Sequence, residues 1–167
     1  GLIHHYENDY LFHNMRTDFV GDSGSGKSII ADLLQLIFVG SEMFESATRT
    51  MDEKRELDGL VLRTPHKGID IGYAFLNIEI QSRHYIVIGC YLESNSKRTK
   101  PFIIQGSSDP KANLLPIGQP LQTKDFKREG NICPLDDLLS QMEEKGLFLS
   151  YWETVKPYHR ILYTHDI

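Results

Sequence analysis

Gly21-Asp22-Ser23-Gly24-Ser25-Gly26-Lys27-Ser28 is the stretch on which the reading of this chain turns. Its eight residues fit G-x-x-x-x-G-K-[ST], the spacing of a phosphate-binding loop. Thr17-Asp18-Phe19-Val20 ahead of it reads as the end of a buried strand, with residues 15–20 feeding the loop. Ile29 to Phe38 behind it reads as a helix that carries Ile29, Ile30, Leu33, Leu34 and Ile37 on one side and stops at Gly40. Residues 15–40 are therefore expected to form a strand, a glycine loop and a helix. The plainer alternative is a Gly/Ser-rich surface turn before an ordinary core helix. The joint agreement of spacing, the Lys-Ser pair and the flanking pattern weighs against it.

Each position of the loop has a physical task. Glycines let the backbone turn inward so that successive N–H groups converge on one oxyanion. The helix that begins near Gly26 directs its positive dipole end to the same point. Lys27 is the expected catalytic residue, reaching the β- and γ-phosphates of ATP as a point charge. The Ser28 hydroxyl is the expected ligand of Mg²⁺. The nucleotide-binding set is thus Gly21, Asp22, Ser23, Gly24, Ser25, Gly26, Lys27 and Ser28.

The bulk numbers set the frame. A chain of 167 residues suits one domain with a substantial core. The net charge of −5 argues against a general nucleic-acid glue, although basic residues bunch at Lys54-Arg55, Arg63 to Lys67, Lys97 to Lys100 and Lys124 to Arg128. A solvated loop is the simpler reading of each bunch. No apolar run approaches the ~20 residues of a membrane span, so no membrane partner is expected. Cys90 and Cys133 stand far apart without a C-x-x-C, which suits reduced cysteines in a cytoplasmic protein.

After a polar stretch at 41–58, the next informative segment is β-rich. Ile69 to Ile80 and His84 to Leu92 are strand-like runs joined by Gln81-Ser82-Arg83, so they predict an antiparallel hairpin. Pro101-Phe102-Ile103-Ile104-Gln105 is expected to pair alongside, giving a meander over 69–105 that lies beside the sheet of the glycine loop. Residues 106–133 read as loops. Two C-terminal helices are expected within 134–163. The first starts at Pro134, carries Leu135, Leu138, Leu139 and Met142 on one face and stops at Gly146. The second runs from Phe148 to Tyr163, with Phe148, Trp152, Val155, Tyr158 and Leu162 at helical spacing and a kink or break at Pro157.

A second acidic site is the missing part. P-loop chemistry uses a Walker B strand, an apolar run that ends in Asp or Asp-Glu and holds Mg²⁺. Ile86 to Glu93 ends in an acid but belongs to the hairpin, and Ile161 to Asp166 has its acid displaced. A small kinase of this length is expected to show that site and an Arg-rich lid, and this chain shows neither. The combination of Phe19-Val20-Gly21 to Ser28, Ala31 to Phe38, Gly72 to Glu79 and Ile86 to Gly89 resembles the N-terminal half of an ABC-class ATPase head. Within that class it is similar to the structural-maintenance-of-chromosomes (SMC) type, including condensin-like systems of DNA defence and repair. The resemblance spans residues 15–165, and its loop part is specific to NTPases rather than to one family.

The resemblance implies an α/β fold: a P-loop NTPase, ABC-type N-terminal lobe with an antiparallel β-subdomain, the whole of 1–167 forming one partial head lobe. It implies ATP and Mg²⁺ as cofactors. The implied partners are the C-terminal lobe of the same head, a second head in a dimer, and DNA. Hydrolysis is expected only in the full-length dimerised head. It implies that Gln105 completes the Mg²⁺ shell, against the equally simple reading of a polar residue that ends a strand. It implies an arginine that reaches the nucleotide, with Arg49 and Arg55 both open as candidates. Asp22-Ser23 stands where relatives carry an uncharged pair. An ABC transporter ATPase fragment and a nucleotide-binding P-loop module without turnover remain the alternatives.

Overall fold

The computed structural model describes residues 8–12, 16–46, 49–50, 53–54, 60, 70–94, 96–106 and 114–167. Its frame is an antiparallel four-stranded sheet in the order β3-β4-β5-β8. The strands are β3 (Ile71–Gln81), β4 (His84–Glu93), β5 (Lys100–Gln105) and β8 (Phe148–Tyr151). Three α-helices cover it among the described residues: α1 (Lys27–Val39), α2 (Leu135–Glu144) and α3 (Val155–Thr164). Two short antiparallel pairs stand apart, β1 (Arg49–Thr50) with β2 (Glu53–Lys54), and β6 (Lys127–Arg128) with β7 (Asn131–Ile132). The chain is a small α/β domain.

The expected meander is present, and the pairing follows from the short connection. Gln81 faces His84, so only Ser82 and Arg83 turn the chain, and Arg83 takes a left-handed φ of 62° to do it. The register shifts between Glu79 and Gln81, which leaves Ile80 as an extra residue at the hairpin end. The Glu79 carboxylate accepts the Arg83 N–H at 2.8 Å and ties that end down. Alternation then divides the apolar residues of the sheet. Ile86, Ile88, Cys90, Leu92 and Ile103 face α1 and α3. Val87, Tyr91, Phe102, Ile104 and Leu149 face α2 and a 3-10 turn at Thr123–Phe126.

Helix α1 lies directly on this sheet. The helix that follows the glycine loop therefore packs on the meander itself, where the sequence predicted a separate neighbouring sheet. Ile29, Leu36 and Ile37 enter the core, and the N–H of Gly40 (φ 72°) closes the last turn on the Leu36 carbonyl at 3.0 Å. Two residues of α3 hold the same end. The buried Tyr158 hydroxyl donates to the Ile37 carbonyl at 2.9 Å, and His159 Nε2 lies 2.6 Å from the Phe38 carbonyl. Burial pushes the Tyr158 phenol well above its ordinary range, so it stays a donor.

Several expectations need correction. Residues 16–20 form no strand. Val20 is 93 % exposed, and Arg16 pairs with its neighbour Asp18 at 2.9 Å instead of crossing to another chain segment. A strand requires a partner for its backbone groups, and the described sheet ends at β3 without taking one from this segment. Phe148–Tyr151 is also not helical. It pairs antiparallel with Phe102 to Gln105 as β8, and the helix starts only at Val155. Pro157 falls in the first turn of α3, where its absent N–H has no intrahelical acceptor to lose, so the expected kink does not occur. Residues 106–133 are not all loop: the Thr123–Phe126 turn and the β6-β7 pair lie there. Helix α2 is as expected, with Asp136 and Asp137 in its first turn and Gly146 (φ 69°) beyond its end.

Gly89 is closely hemmed in within the sheet. A Cβ there would stand 2.6 Å from the Ala74 carbonyl oxygen and collide with the ring of Phe102, its cross-strand partner. Phe75, its partner on the other side, stacks on Phe126 with centroids 4.3 Å apart. The bare backbone is what lets these aromatic rings close over the strand. Gly89→Ala is expected to cost about 1–3 kcal/mol through overpacking, read as a melting temperature lower by roughly 3–10 °C.

Asp125 joins the 3-10 turn to α2. Its carboxylate accepts from Lys145 Nζ at 2.7 Å and from the Gln122 N–H at 2.8 Å, while its carbonyl accepts from Gln141 Nε2 at 2.8 Å. Partial burial raises its pKa, but the Lys145 and Gln122 hydrogen bonds outweigh that and hold it below the usual carboxylate value. A carboxyl group depressed in the folded state contributes stability above its unfolded pKa and loses it as pH falls through the folded one. Asp125→Asn is therefore expected to melt below the wild type at pH 7, with the gap closing as pH falls below the ordinary carboxylate range and through the lowered folded value. Thermal denaturation at pH 7 and in acid checks this.

Candidate phosphate-binding loop

The loop from Gly21 to Ser28 takes the form that its glycines allow. Gly24 and Gly26 have left-handed φ angles of 83° and 88°, and Gly26 stands at the N-cap of α1. The Ser25 N–H donates to the Asp22 carbonyl at 3.2 Å, closing a turn over Asp22 to Ser25. Gly21 has Ser25 Oγ only 2.9 Å from where a Cβ would stand, so the loop's two ends approach through a missing side chain. No side chain caps α1, and Lys27 and Ser28 occupy the first helical positions, whose N–H groups have no intrahelical acceptor.

Lys27 folds back over this turn. Its ammonium donates to the Gly21 carbonyl at 2.6 Å, to the Asp22 carbonyl at 2.7 Å and to Ser25 Oγ at 3.2 Å. Three oxygens of the loop thus fix one cation at the mouth of a helix N-terminus. A cation and a helix N-terminus meet in one exposed place, which is a chemistry suited to an anion.

The remaining site residues are placed as follows. Gln105 ends β5 and is buried. Alternation with Ile103 puts it on the sheet face that α1 covers, and its Oε1 accepts the Leu115 N–H at 3.3 Å. Among the described residues, no hydrogen bond joins Gln105 to Ser28. Arg49 lies in β1, and Arg55 lies outside the described residues. No group of three or more His, Cys, Asp or Glu side chains suited to a metal occurs among the described residues. None of their helices is long and apolar enough to cross a membrane.

Two features escaped the sequence reading. Asp32 is fully buried on the core side of α1 and accepts from Ser46 Oγ at 3.2 Å, while Gln35 Oε1 accepts the Glu45 N–H at 3.1 Å. These contacts bind the segment after α1 to the helix that carries the loop. Asp32 shares the buried stripe of Ile29 and Leu36 at three- and four-residue spacing, a signal that was present in the sequence. The second feature is a clasp ahead of the loop. Phe19 meets Tyr10 and Phe12 edge-on with centroids 5.7 and 5.8 Å away, and Asp9 accepts from Thr123 at 3.3 Å. Asp9, Tyr10, Phe12 and Thr123 help wall a cleft of about 700 Å³ between α1 and the open edge of β3, and no residue of Gly21–Ser28 lines it.

Comparison of the chain with protein-family models, with curated proteins and with solved structures finds no match.

The two thiols do not belong to this site. Cys90 is fully buried in β4, which pushes its pKa up to about 12, and Cys133 is buried with its own pKa raised by desolvation and the nearby Asp137 carboxylate. Both are expected to stay silent toward a thiol-reactive disulfide reagent in the native protein at pH 8. Two equivalents are expected to react once guanidinium unfolds it.

Proposed function

We propose that this chain is the ATP-binding N-terminal lobe of an SMC-like ATPase, an ABC-type P-loop lobe that uses ATP-driven head engagement to act on DNA. The observation that carries the reading is the Lys27 ammonium held on the Gly21 and Asp22 carbonyls, in front of α1, within a loop whose glycines turn left-handed. Lys27 would release these oxygens for the β- and γ-phosphates of ATP. Ser28 would hold Mg²⁺, and Gln105 would approach that ion from the covered face of the sheet. The antiparallel β3-β4-β5 unit after the loop supports an ABC-type lobe over a small kinase, whose strands would run parallel with helices between them. The C-terminal lobe, a second head and DNA are the partners this reading calls for, and turnover belongs to the engaged dimer. One observation favours a second reading, a nucleotide-binding P-loop module without turnover: residues 16–20 stand outside the sheet, so among the described residues no strand feeds the loop.

Isothermal titration of the chain with ATP and excess Mg²⁺ tests the proposal. Lys27→Ala is expected to weaken binding at least about tenfold, since a charge-assisted hydrogen bond contributes about 1.5–3 kcal/mol. No phosphate release above background is expected from the lobe by itself. Equal affinity in wild type and Lys27→Ala overturns the reading. Turnover by the isolated chain that Lys27→Ala abolishes overturns the half-head part of it and favours a compact enzyme.

A further inference from the structure

We infer that Asp22 makes the loop discriminate between magnesium-bound and free nucleoside triphosphate. The inference rests on the P-loop reading and adds a role that the motif does not assign, because Asp22 occupies one of its open positions. The backbone of Asp22 lies at the heart of the candidate site. Its carbonyl accepts from Lys27 Nζ at 2.7 Å, and its carbonyl also closes the turn with the Ser25 N–H. Its carboxylate is bound to remain within roughly 5 Å of that carbonyl by covalent geometry alone. Residue 22 is exposed, and its carboxylate has no ion-pair partner among the described residues. Lys27 is engaged by backbone oxygens and Ser25 Oγ, so its charge is not spent on Asp22.

A tethered negative charge therefore stays near the place where phosphate oxygens would be held. Its repulsion grows with the charge brought in. Free ATP presents its whole polyphosphate charge, whereas Mg²⁺ cancels about two of those charges before the nucleotide arrives. Asp22 thus penalises the free nucleotide more than the metal complex. Ser28 would create the same preference from the opposite side, by favouring the complex. The two contributions separate by sign: one residue weakens the wrong form, the other strengthens the right one.

Calorimetric titration of the full 167-residue chain with ATP in EDTA and with ATP in excess MgCl₂ reads both. Asp22→Asn is expected to tighten free ATP about tenfold and the magnesium complex about threefold or less, with the larger gain fading as salt is raised. Ser28→Ala is expected to leave free ATP unchanged and to weaken the magnesium complex. An Asp22→Asn variant whose two affinities shift by the same factor, or not at all, overturns the inference while leaving the P-loop reading in place. The failure of that reading has its own signature, identical binding in Lys27→Ala. Circular dichroism of Asp22→Asn, expected to match the wild type because residue 22 is exposed, keeps a folding defect from imitating either result.

Discussion

Strand β4 is buried on both faces, and the fold is organised around that constraint. Every residue from Ile86 to Leu92 is buried. A strand of that kind satisfies its backbone only between two neighbours and its side chains only between two layers. β3 and β5 supply the neighbours. Helices α1 and α3 supply one layer, and α2 with the Thr123–Phe126 turn supplies the other. The candidate loop inherits its position from this arrangement, because α1 is pressed onto the sheet through Ile29, Leu36 and Ile37. What the glycines shape locally, the double burial of β4 holds in place.

The loop and its scaffold differ in kind. The sheet is held by close packing, with Gly89 reduced to backbone so that Phe102 can cross it. The loop is held by polar contacts: the Ser25 N–H on the Asp22 carbonyl, and three exposed hydrogen bonds that converge on Lys27. Exposed hydrogen bonds of this sort exchange readily with water or with a ligand, whereas packed rings do not. An anion arriving at the loop would therefore meet groups free to change partners on a base that is not.

Legibility followed the range of the forces involved. The β3-β4 hairpin was readable because a continuous apolar run and a short polar turn leave no room for a crossover. The left-handed Gly24 and Gly26 and the end of α1 at Gly40 were readable from glycine positions. Strand β8 was not. Phe148 and Trp152 stand four apart like a helical stripe, and only the free edge of β5 makes Phe148–Tyr151 extended. The segment 16–20 erred the other way: its composition suits a strand, but composition cannot supply the neighbour a strand needs. In the site, the motif residues were evident from spacing. The grip of Lys27 on the Gly21 and Asp22 carbonyls depends on how the loop curls, and the coupling of Asp32 to Ser46 joins residues 14 apart in the chain, so neither was evident.

The hold of α3 on the last turn of α1 has a mechanical meaning. Tyr158 and His159 grip the Ile37 and Phe38 carbonyls, and Val155 rests against Gly40. The opposite end of the helix carries the exposed loop. Ile29 also seats the first turn on the core, so the helix is held at both ends and cannot slide along its axis; what is left to it is a slight tilt about the firmer pin. Any displacement that began at Lys27 would therefore reach the sheet as a small tilt of α1, opposed by the packing of Ile29 and vanishing at Tyr158. The middle of the helix, where Asp32 and Gln35 hold Ser46 and Glu45, lies on the lever arm. The segment that follows α1 would be drawn along with it, and the hinge would be a phenol hydroxyl buried too deeply to ionise.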